Sequence, residues 1–316
     1  MFIKIVTTPQ GNYKYLRAII YLTLIRYSGS TVDNCYDHIQ LEVQTNGVIK
    51  MISVPEPPEF FIDGVKVFIR NTVKNANANG VVLGLSGGVD SAVTAKLCLE
   101  ALGKENVLAL IMPENGVNEQ DLKDAIDFSK REGLKYRVIE ISNILSEIER
   151  TLEVNTHKAK INIRPRLRML ILYAFANELN YLVAGTSNKS ELLLGYFTKY
   201  GDGAADVYPI GDLYKTQVYV LARRLGIPEK IIKKSPSAGL YPGQKDENEL
   251  GFSYELLDKV LYAYELGYSI DRISKETGVS LDDVRKIISM VENSRHKRRA
   301  GYIFKVSART PLVDFD

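Results

Sequence analysis

The feature that most constrains the fold is an apolar run that leads directly into a glycine-rich loop. Val81–Leu85 is typical of a buried strand, Ser86–Ser91 has the sequence Ser-Gly-Gly-Val-Asp-Ser, and a helical pattern follows to about Leu102. The two glycines permit a tight turn and the close approach of a ligand. A loop between a strand and a helix presents free backbone N–H groups, which favour a phosphate. The stretch therefore predicts a phosphate-binding loop, in which the Asp90 carboxylate could hold Mg²⁺.

The loop differs from the two common phosphate-binding motifs. The chain has neither Gly-x-x-x-x-Gly-Lys-Ser/Thr nor Gly-x-Gly-x-x-Gly after a strand. Ser-Gly-Gly-x-Asp-Ser instead resembles the pyrophosphate loop of enzymes that split ATP between its α and β phosphates. The alternative is a serine-capped helix after a glycine turn, but the strand–loop–helix context favours the phosphate-binding interpretation.

Apolar runs and helical patterns alternate beyond the loop, and this alternation defines the fold class. Alternating strands and helices predict a doubly wound α/β sheet, with parallel strands and crossover helices. Ligands of such folds bind beyond the carboxyl ends of the strands, where Ser86–Ser91 and Gly185–Asn188 both lie. From Gln217 onward the patterns predict a mostly helical C-terminal part, interrupted by a loop at Ser235–Glu249. The further strands are predicted at Val107–Met112, Tyr136–Ile141 and Tyr181–Ala184, and the helices between them at Glu119–Glu132, Ser142–Glu153 and Arg166–Asn180.

Composition excludes several classes of protein. The 316 residues include 45% hydrophobic and 25% charged residues, which is ordinary for a globular chain with a sizeable core. The net charge of +3 is too small to indicate a nucleic-acid partner. Two cysteines, Cys35 and Cys98, cannot form a disulfide scaffold or a four-cysteine zinc site. Without a long apolar run or a cleavable leader pattern, we expect a cytoplasmic protein with no membrane segment.

The segment before Met51 lacks the clean periodicity of the rest, and a proline-rich stretch follows it. We therefore predict an N-terminal extension and linker at residues 1–58, a main domain at 59–306 and a tail at 307–316. A further hypothesis is that Met51 begins the functional protein. The intact mass of protein from its native source would test it, since a mass that includes residue 1 contradicts it.

A second polar cluster follows the last predicted strand, in the sequence Gly-Thr-Ser-Asn-Lys-Ser-Glu. Glu191, at its end, could share a metal ion with Asp90 across neighbouring strand ends. The same residues fit a helix cap, in which Ser187 or Asn188 caps and Glu191 completes a capping box. On this cluster alone, the capping interpretation is favoured.

A third cluster, at 195–206, is rich in glycine and aromatic residues and contains two aspartates. It could wrap a substrate with Asp202 as a proton acceptor, or it could be a plain surface loop. Lys215 follows it, near a predicted helix start. A cation is disfavoured there by the helix dipole, so its position suggests a phosphate nearby.

Taken together, four motifs resemble those of NAD synthetases in order and spacing. They are Ser-Gly-Gly-Val-Asp-Ser, Gly-Thr-Ser-Asn-Lys-Ser-Glu, Gly-Tyr-Phe-Thr-Lys-Tyr-Gly-Asp-Gly and Pro-Ile-Gly-Asp-Leu-Tyr-Lys-Thr. The resemblance runs from about Phe61 to Arg299. It implies an ammonia-dependent ligase of the ATP pyrophosphatase superfamily, with an adenine nucleotide alpha hydrolase-like fold. Such enzymes convert deamido-NAD to NAD with ATP and ammonia, through an adenylated carboxylate, and release AMP and pyrophosphate. It also implies Mg²⁺ and a homodimer.

The resemblance assigns roles to the residues at matching positions. It implies catalytic roles for Asp90, Asp202 and Lys215, and Mg²⁺ ligation by Asp90 and Glu191. Asp202 would bind ammonium or take its proton, because ammonium has no lone pair with which to attack. The residues implied to bind ATP are Ser86, Gly87, Gly88, Val89, Asp90, Ser91, Arg166, Thr186, Lys215 and Ser237. The residues implied to bind deamido-NAD are Asn162, Arg168, Lys199, Asp206, His296 and Lys297.

Two positions depart from the family pattern. Pro165 replaces the usual alanine, and we expect it in the first turn of a helix, where proline is tolerated. Ser237 replaces a frequent threonine and keeps its hydroxyl. In addition, His296-Lys297-Arg298 matches the C-terminal His-Lys segment of the family, which implies a cap over the site. The alternative, that Arg295–Arg299 is a plain basic tail, is less favoured.

Alternative functions remain open at this point. GMP synthetase or a tRNA-modifying ligase could use the same loop. The roughly fifty residues before the main domain cannot house a glutaminase-like domain, so we expect direct use of ammonia, with an external glutaminase partner left open. Tyr268–Ser280 and Leu281–Met290 fit a helix-turn-helix. Asp282, Asp283 and Glu292 on its second helix would repel phosphates, so we expect no nucleic-acid partner.

Overall fold

The computed structural model describes residues 52–116, 119–241, 243–306 and 308–309. The predictions for residues before 52, and for most of the tail at 307–316, fall outside these ranges. Among the described residues, four strands form one parallel sheet in the order β3-β2-β1-β4. The strands are β1 (Gly80–Gly84), β2 (Val107–Ile111), β3 (Lys135–Val138) and β4 (Tyr181–Val183).

The strand order places the two polar clusters side by side. The chain passes from β1 to β2 on one side of β1, and β4 pairs with β1 on the other side. Because parallel strands end at the same edge, the segments after β1 and β4 lie next to each other at the switch in strand order. The predicted α/β fold is confirmed.

Helices cover both faces of this sheet, as the alternating side chains of β1 require. They are α1 (Phe61–Asn75), α2 (Val89–Leu102), α3 (Glu119–Glu132), α4 (Ser142–Leu152), α5 (His157–Leu179), α6 (Lys189–Leu194) and α7 (Lys215–Arg224). Val81 and Leu83 belong to an apolar cluster with α1, α2, α3 and α7. Val82 points to the other face and joins a cluster with α4 and α5.

The C-terminal part is helical, as predicted. Its helices are α8 (Glu229–Ile232), α9 (Asp246–Leu250), α10 (Tyr254–Glu265), α11 (Ile270–Thr277) and α12 (Leu281–Asn293), followed by a 3₁₀ turn at Arg295–Arg298. Leu257, Ile273 and Ile287 are buried in one apolar cluster that joins α10, α11 and α12. The second helix of the supposed helix-turn-helix therefore uses its apolar face for packing, while Asp282 on its other side is exposed.

The residues that precede α1 pack against helices from the end of the chain. The Ile52 N–H donates to the Glu276 carbonyl at 3.0 Å. Further along, the Arg224 guanidinium donates to the Pro57 carbonyl. The segment from Ile52 to Pro57 therefore runs from α11 across α7 before α1 begins.

Helix α5 begins at His157, so the predicted start near Arg166 is wrong. The Thr156 hydroxyl caps it by accepting the Ala159 N–H at 3.3 Å. Pro165 lies inside the helix rather than in its first turn, although a proline there removes one backbone hydrogen bond. Ile163 packs against the apolar cluster of α4, α5 and the sheet, and this packing stabilises the turns before the proline. These turns are rich in lysine and polar residues, which hid their helical pattern.

The predicted loop at 235–249 is also partly helical, because α9 begins within it at Asp246. None of the helices in the described ranges is both long enough and apolar enough to cross a membrane.

Candidate active site

A cavity of about 460 Å³ lies at the carboxyl ends of the strands. Its size is that of a small-molecule site. The segments after β1, β2 and β4 all contribute to its wall, as does the segment after α8. Most of the residues predicted for the site line it: Ser86, Gly88, Val89, Asp90, Ser91, Arg168, Thr186, Glu191, Asp202, Lys215, Ser237 and Lys297.

The Ser91 hydroxyl bridges the two ends of the Ser-Gly-Gly loop. The Ser86 N–H donates to Ser91 Oγ at 3.2 Å, and Ser91 Oγ donates to the Gly88 carbonyl at 3.0 Å. Gly87 has φ +82°, and a Cβ there would lie 2.3 Å from the carbonyl oxygen of Asp121, so only glycine fits. Gly88 precedes α2 and has no side chain that could cap it. The first N–H groups of α2 are therefore placed for an anion.

Lys215 lies between two carboxylates at the neighbouring strand ends. Its Nζ donates to Asp90 Oδ2 and lies 3.6 Å from Glu191 Oε1. Only 3% of the Lys215 side chain is exposed. Burial alone would lower the pKa of Lys215, but the charges of Asp90 and Glu191 outweigh it and raise that pKa. Burial, with the adjacent charge of Asp90, raises the pKa of Glu191 to about 8.

The pair Asp90 and Glu191 fits a magnesium ion by its chemistry. Both carboxylates reach one cationic group, the Lys215 ammonium. Within the described ranges, no group of three or more His, Cys, Asp and Glu side chains could hold a metal. Mg²⁺ does not need such a group, because it keeps several waters and binds through one or two carboxylates and substrate phosphates.

Asn188 joins the two strand ends and forms a capping box with Glu191. The Asn188 side-chain oxygen accepts the Glu191 N–H at 3.0 Å, and Glu191 Oε2 accepts the Asn188 N–H at 3.1 Å. This is the capping box that the sequence allowed. The Asn188 amide also donates to Asp90 Oδ1 at 3.0 Å. Since Glu191 uses one oxygen for the cap and turns the other towards Lys215, the capping and metal interpretations are compatible.

Asp202 reaches the cavity from the loop at 195–206. Its Oδ1 accepts the Thr198 N–H at 2.9 Å, and its own carbonyl accepts the Ser187 hydroxyl at 3.3 Å. Asp202 is exposed to solvent within the cavity. The protein around the cavity still desolvates its carboxylate and raises the pKa of Asp202, while the Thr198 N–H and the charge of Lys297 partly oppose the rise. A carboxyl group with a raised pKa is a stronger base than an ordinary aspartate.

Two basic side chains line the cavity and donate to backbone carbonyls. Arg168 Nε donates to the Met112 carbonyl at 3.2 Å. Lys297 Nζ donates to the carbonyls of Gly195 at 2.7 Å and Phe197 at 2.9 Å. Burial lowers the pKa of Lys297, against the opposing charge of Asp202. An anionic ligand would offset this desolvation and is therefore favoured beside both groups.

Three predicted residues form a separate basic group outside the cavity lining. Arg166 Nε donates to the Lys199 carbonyl at 3.4 Å, and Lys199 Nζ donates to the His296 carbonyl at 2.8 Å. Arg166 and His296 are exposed, and Lys199 is half-buried. The structure thus brings these three together, but not around the cavity.

The remaining predicted residues, Gly87, Asn162 and Asp206, also lie outside the lining. Asn162 accepts a hydrogen bond from the Thr198 hydroxyl at 2.7 Å. Asp206 accepts the Val183 N–H of β4 at 2.8 Å. Asn162 and Asp206 therefore support the walls of the site through the Thr198 loop and β4.

Residues 61–301 match the family model described as NAD synthase, which covers most of the chain. The chain belongs to the NAD synthase family. Two relatives named NH(3)-dependent NAD(+) synthetase are similar to it. That of Archaeoglobus fulgidus is 49% identical over 249 residues, which are 78% of this chain and 97% of the relative. That of Methanocaldococcus jannaschii is 48% identical over 247 residues, which are 77% and 95% of the two chains.

Solved structures agree with this family. The NH3-dependent NAD synthetase from Campylobacter jejuni is 39% identical, with a TM-score of 0.67 over 78% of this chain and 98% of the other. The NMN synthetase from Francisella tularensis is 33% identical, with a TM-score of 0.70 over 80% and 100%. The family resemblance inferred from the four motifs is therefore confirmed.

Within this NAD synthase fold, Asp258 of α10 joins two helices that carry site residues. The buried Asp258 carboxylate accepts a hydrogen bond from the Ser190 hydroxyl of α6 at 2.5 Å. Its other oxygen accepts the Thr216 N–H of α7 at 2.8 Å. Ser190 Oγ in turn accepts the Lys215 N–H at 2.9 Å. Burial raises the pKa of Asp258, and these hydrogen bonds oppose the rise. The sequence gives no signal for Asp258, because its partners are far away along the chain.

The segment that carries Ser237 is held by residues that the sequence analysis also missed. Asp246 Oδ1 accepts the Ala238 N–H at 2.9 Å. The Gln244 side-chain oxygen accepts the Leu240 N–H at 2.8 Å. Both side chains are buried and line the cavity. Their position in a stretch predicted as loop concealed them, and only the acidic start of α9 could have indicated a helix there.

Proposed function

We propose that the chain catalyses the ATP-dependent amidation of deamido-NAD with ammonia, which yields NAD, AMP and pyrophosphate. The observation that carries the proposal is the pairing of Lys215 with Asp90 and Glu191, next to the Ser-Gly-Gly loop in one cavity. Relatives that are 48–49% identical over more than nine tenths of their own length bear the name of this activity.

In the first step, an oxygen of the substrate carboxylate attacks the α-phosphorus of ATP. The bond between the α-phosphorus and the bridging oxygen breaks, and pyrophosphate leaves with that oxygen. The N–H groups at the start of α2, that of Ser91 included, and the hydroxyls of Ser86 and Ser237 would bind the departing phosphates. Lys215 would neutralise the charge that develops on them. This step requires positioning more than covalent help from the protein.

The residues that would hold a magnesium ion are Asp90 and Glu191. When bound, Mg²⁺ would neutralise charge on the ATP phosphates and orient them. Support comes from the shared reach of the two carboxylates towards one cationic group, and from the separate oxygen that Glu191 reserves for its helix cap.

In the second step, ammonia attacks the carbonyl carbon of the adenylate, and AMP leaves. Asp202 would bind the ammonium ion and take one proton from it, which frees the lone pair. The support is its accessible carboxylate with a raised pKa, next to the cavity residues Lys297 and Arg168. A carboxylate with a raised pKa takes this proton more readily than an ordinary aspartate.

The remaining roles concern substrate binding. Arg166 and Thr186 would complete the ATP site. Deamido-NAD would be bound by Asn162, Arg168, Lys199, Asp206, His296 and Lys297. Its charged pyrophosphate suits the basic side chains of Lys199 and His296; Lys199 Nζ donates to the His296 carbonyl and lies 4.9 Å from the centroid of the Tyr200 ring.

We further propose a cytoplasmic homodimer with the domain boundaries predicted above. Large apolar side chains remain exposed on neighbouring elements of the sheet face that carries α4 and α5. Leu170 of α5 is 61% exposed and Leu152 of α4 is 58% exposed. A partner subunit would cover such side chains. Light scattering would test it: a dimer for the parent chain and a monomer for Leu170→Lys support the interface, and a monomeric parent contradicts it.

A coupled assay with deamido-NAD tests the activity. The expected result is formation of NAD, AMP and pyrophosphate in equal amounts with ammonium, and little product with glutamine. Addition of an unrelated glutaminase should restore activity with glutamine, which would show that ammonia is the nitrogen donor. A parallel arm supplies the mononucleotide that carries the same carboxylate, since one similar structure is an NMN synthetase. ADP as product, or preference for the mononucleotide, contradicts the proposal.

A further inference from the structure

Lys234 contacts the phosphate-binding loop through the carbonyl of Gly87. Its Nζ donates to the Gly87 carbonyl at 3.1 Å. The same Nζ lies 2.6 Å from Asp121 Oδ1 and 2.6 Å from Asp124 Oδ2, both on α3. The Lys234 side chain is 24% exposed and lines the cavity. A single ammonium group therefore joins the loop to the helix against which the loop packs.

This contact determines the direction of the Gly87–Gly88 peptide. In a trans peptide the carbonyl and the N–H point in opposite directions. Because Lys234 holds the Gly87 carbonyl, the Gly88 N–H must point away from Lys234, and it donates to Ser86 Oγ at 3.3 Å; both Ser86 and Gly88 line the cavity. Gly87 has a left-handed φ of +82°, a region in which glycine can rotate with little steric restriction. Without Lys234 the peptide could turn its carbonyl, rather than its N–H, towards an anion.

Charge strengthens the same effect. An ammonium group at the carbonyl polarises the peptide, and linked hydrogen bonds of this kind reinforce one another. The Gly88 N–H is therefore a better donor for a phosphate oxygen than an N–H without such a partner. Asp121 and Asp124 hold the ammonium group in place, so it need not move towards the ligand.

Lys234 also begins the segment that leads to Ser237. Only two residues separate Lys234 from Ser237, and Asp246 holds the following Ala238 N–H. The contact with Gly87 therefore fixes the distance between the Ser-Gly-Gly loop and the Ser237 hydroxyl, which face the same cavity.

We propose that Lys234 is a positioning residue for the pyrophosphate of ATP: it orients the Gly87–Gly88 peptide and couples the Ser-Gly-Gly loop to the Ser237 segment. The inference rests on the proposed function for its nucleotide. In this proposal Lys234 acts through the Gly88 N–H rather than by contact with the reacting atoms.

The test compares Lys234→Met with Lys230→Met. Lys230 offers a matched control, because it pairs with the same Asp124 at 2.8 Å and with Asp127, but does not contact Gly87. Calorimetry measures binding of magnesium pyrophosphate to each variant, and steady-state kinetics measure kcat and both KM values. We expect Lys234→Met to lose about 10-fold or more in pyrophosphate affinity and in kcat/KM for ATP, since a hydrogen bond to a charged group is lost. In this variant, KM for deamido-NAD should stay within about 2-fold of the parent value. Lys230→Met should match the parent in pyrophosphate affinity, in kcat/KM for ATP and in KM for deamido-NAD.

Two results would overturn the inference. One is equal pyrophosphate affinity in Lys234→Met and Lys230→Met. The other is a parallel loss for ATP and deamido-NAD, which indicates a general defect of folding. Should Lys234→Met fail to fold, Lys234→Gln takes its place, because it keeps a donor but removes the charge. Pyrophosphate binding can be measured whatever molecule is amidated. If pyrophosphate affinity depends on Lys234 but the parent chain does not convert deamido-NAD, the proposed function is refuted and the role of Lys234 is not.

Discussion

The charged groups of the molecule fall into two sets that differ in what surrounds them. The strand-end set, Asp90, Glu191 and Lys215, is largely buried, and its members pair with one another. The basic group of Arg166, Lys199 and His296 lies nearer the surface and donates mainly to backbone carbonyls. Buried charges interact strongly because water does not screen them, while exposed ones are weakened by salt.

The difference teaches how the two sets can contribute. The strand-end set is fixed before any substrate binds, because Asn188 and Asp258 hold its helices. Such preorganised charge can stabilise a transition state. The basic group can attract and hold an anionic substrate, but its effect should be moderate and dependent on ionic strength.

The largest expected effect comes from Lys215→Met, which breaks the buried set. It removes the cation between Asp90 and Glu191 and leaves their charges uncompensated. We expect pyrophosphate release to fall by about 10²- to 10³-fold and the free energy of unfolding to fall by about 3–5 kcal/mol. Initial rates and urea denaturation measure the two. Lys233→Met is the control, since the Lys233 side chain is 78% exposed. A variant with more than a tenth of parental activity would contradict the assigned role.

A smaller effect is expected from Asp202→Asn, which removes the negative charge of a cavity residue that belongs to neither set and keeps the size and shape of its side chain. The amide oxygen can still accept the Thr198 N–H, so the loop should retain its conformation. Amidation at subsaturating ammonium should slow by about 10²-fold, because no base takes the proton. Adenylate formation, measured by exchange of labelled pyrophosphate into ATP, should persist. NAD formation at the parental rate would show that Asp202 is not the base.

Lys199→Met tests the exposed group and should have a moderate effect. Loss of one surface charge should raise KM for deamido-NAD about 3- to 5-fold and leave KM for ATP unchanged. Because salt screens exposed charges, the difference from the parent should shrink as NaCl rises. Kinetics at several salt concentrations, with Lys233→Met as the comparison, provide the measurement. A salt-independent change would place Lys199 with the buried set instead.

The smallest effect on activity is expected at Asp124, which is buried and ion-paired but contacts no proposed substrate group. Burial alone would raise its pKa, but hydrogen bonds from Lys230, Lys234 and Gln120 lower it to about 2. A lowered pKa means that its contribution to stability is complete above the unfolded value of about 3.9 and is lost as pH falls through 2. Denaturation at several pH values should therefore show that the free energy of unfolding falls less steeply between pH 4 and 2 for Asp124→Asn than for the parent. Equal slopes would exclude this contribution.

The sequence was informative wherever the chemistry is local. The order strand, Ser-Gly-Gly loop, helix follows from neighbouring residues, and it predicted the loop and its place at a strand end. Parallel pairing then brought Asp90 and Glu191 to adjacent ends, as predicted from the alternating pattern. Their metal and substrate roles stay predictions.

Features that depend on distant residues were missed. Lys234 looks like an ordinary cation at a helix end, yet it bonds to Gly87. Asp258 similarly bonds to Thr216, and no periodicity connects them. The early start of α5 escaped because Pro165 resembles a helix start, whereas tertiary packing of Ile163 allows a proline inside the helix. In each instance the decisive partner is determined by topology rather than by spacing.

The short run before α1 has a consequence for biosynthesis. Ile52 acquires its backbone partner only when the Glu276 carbonyl is present, and Glu276 is translated long after α1. While the ribosome is still making the intervening residues, this early stretch has to wait without that bond. The sheet can assemble as its strands emerge, and the Pro57 end of this stretch can dock once Arg224 has been made, but the Ile52 end can dock only near the end of translation. Its protection from protease in stalled nascent chains should consequently appear last.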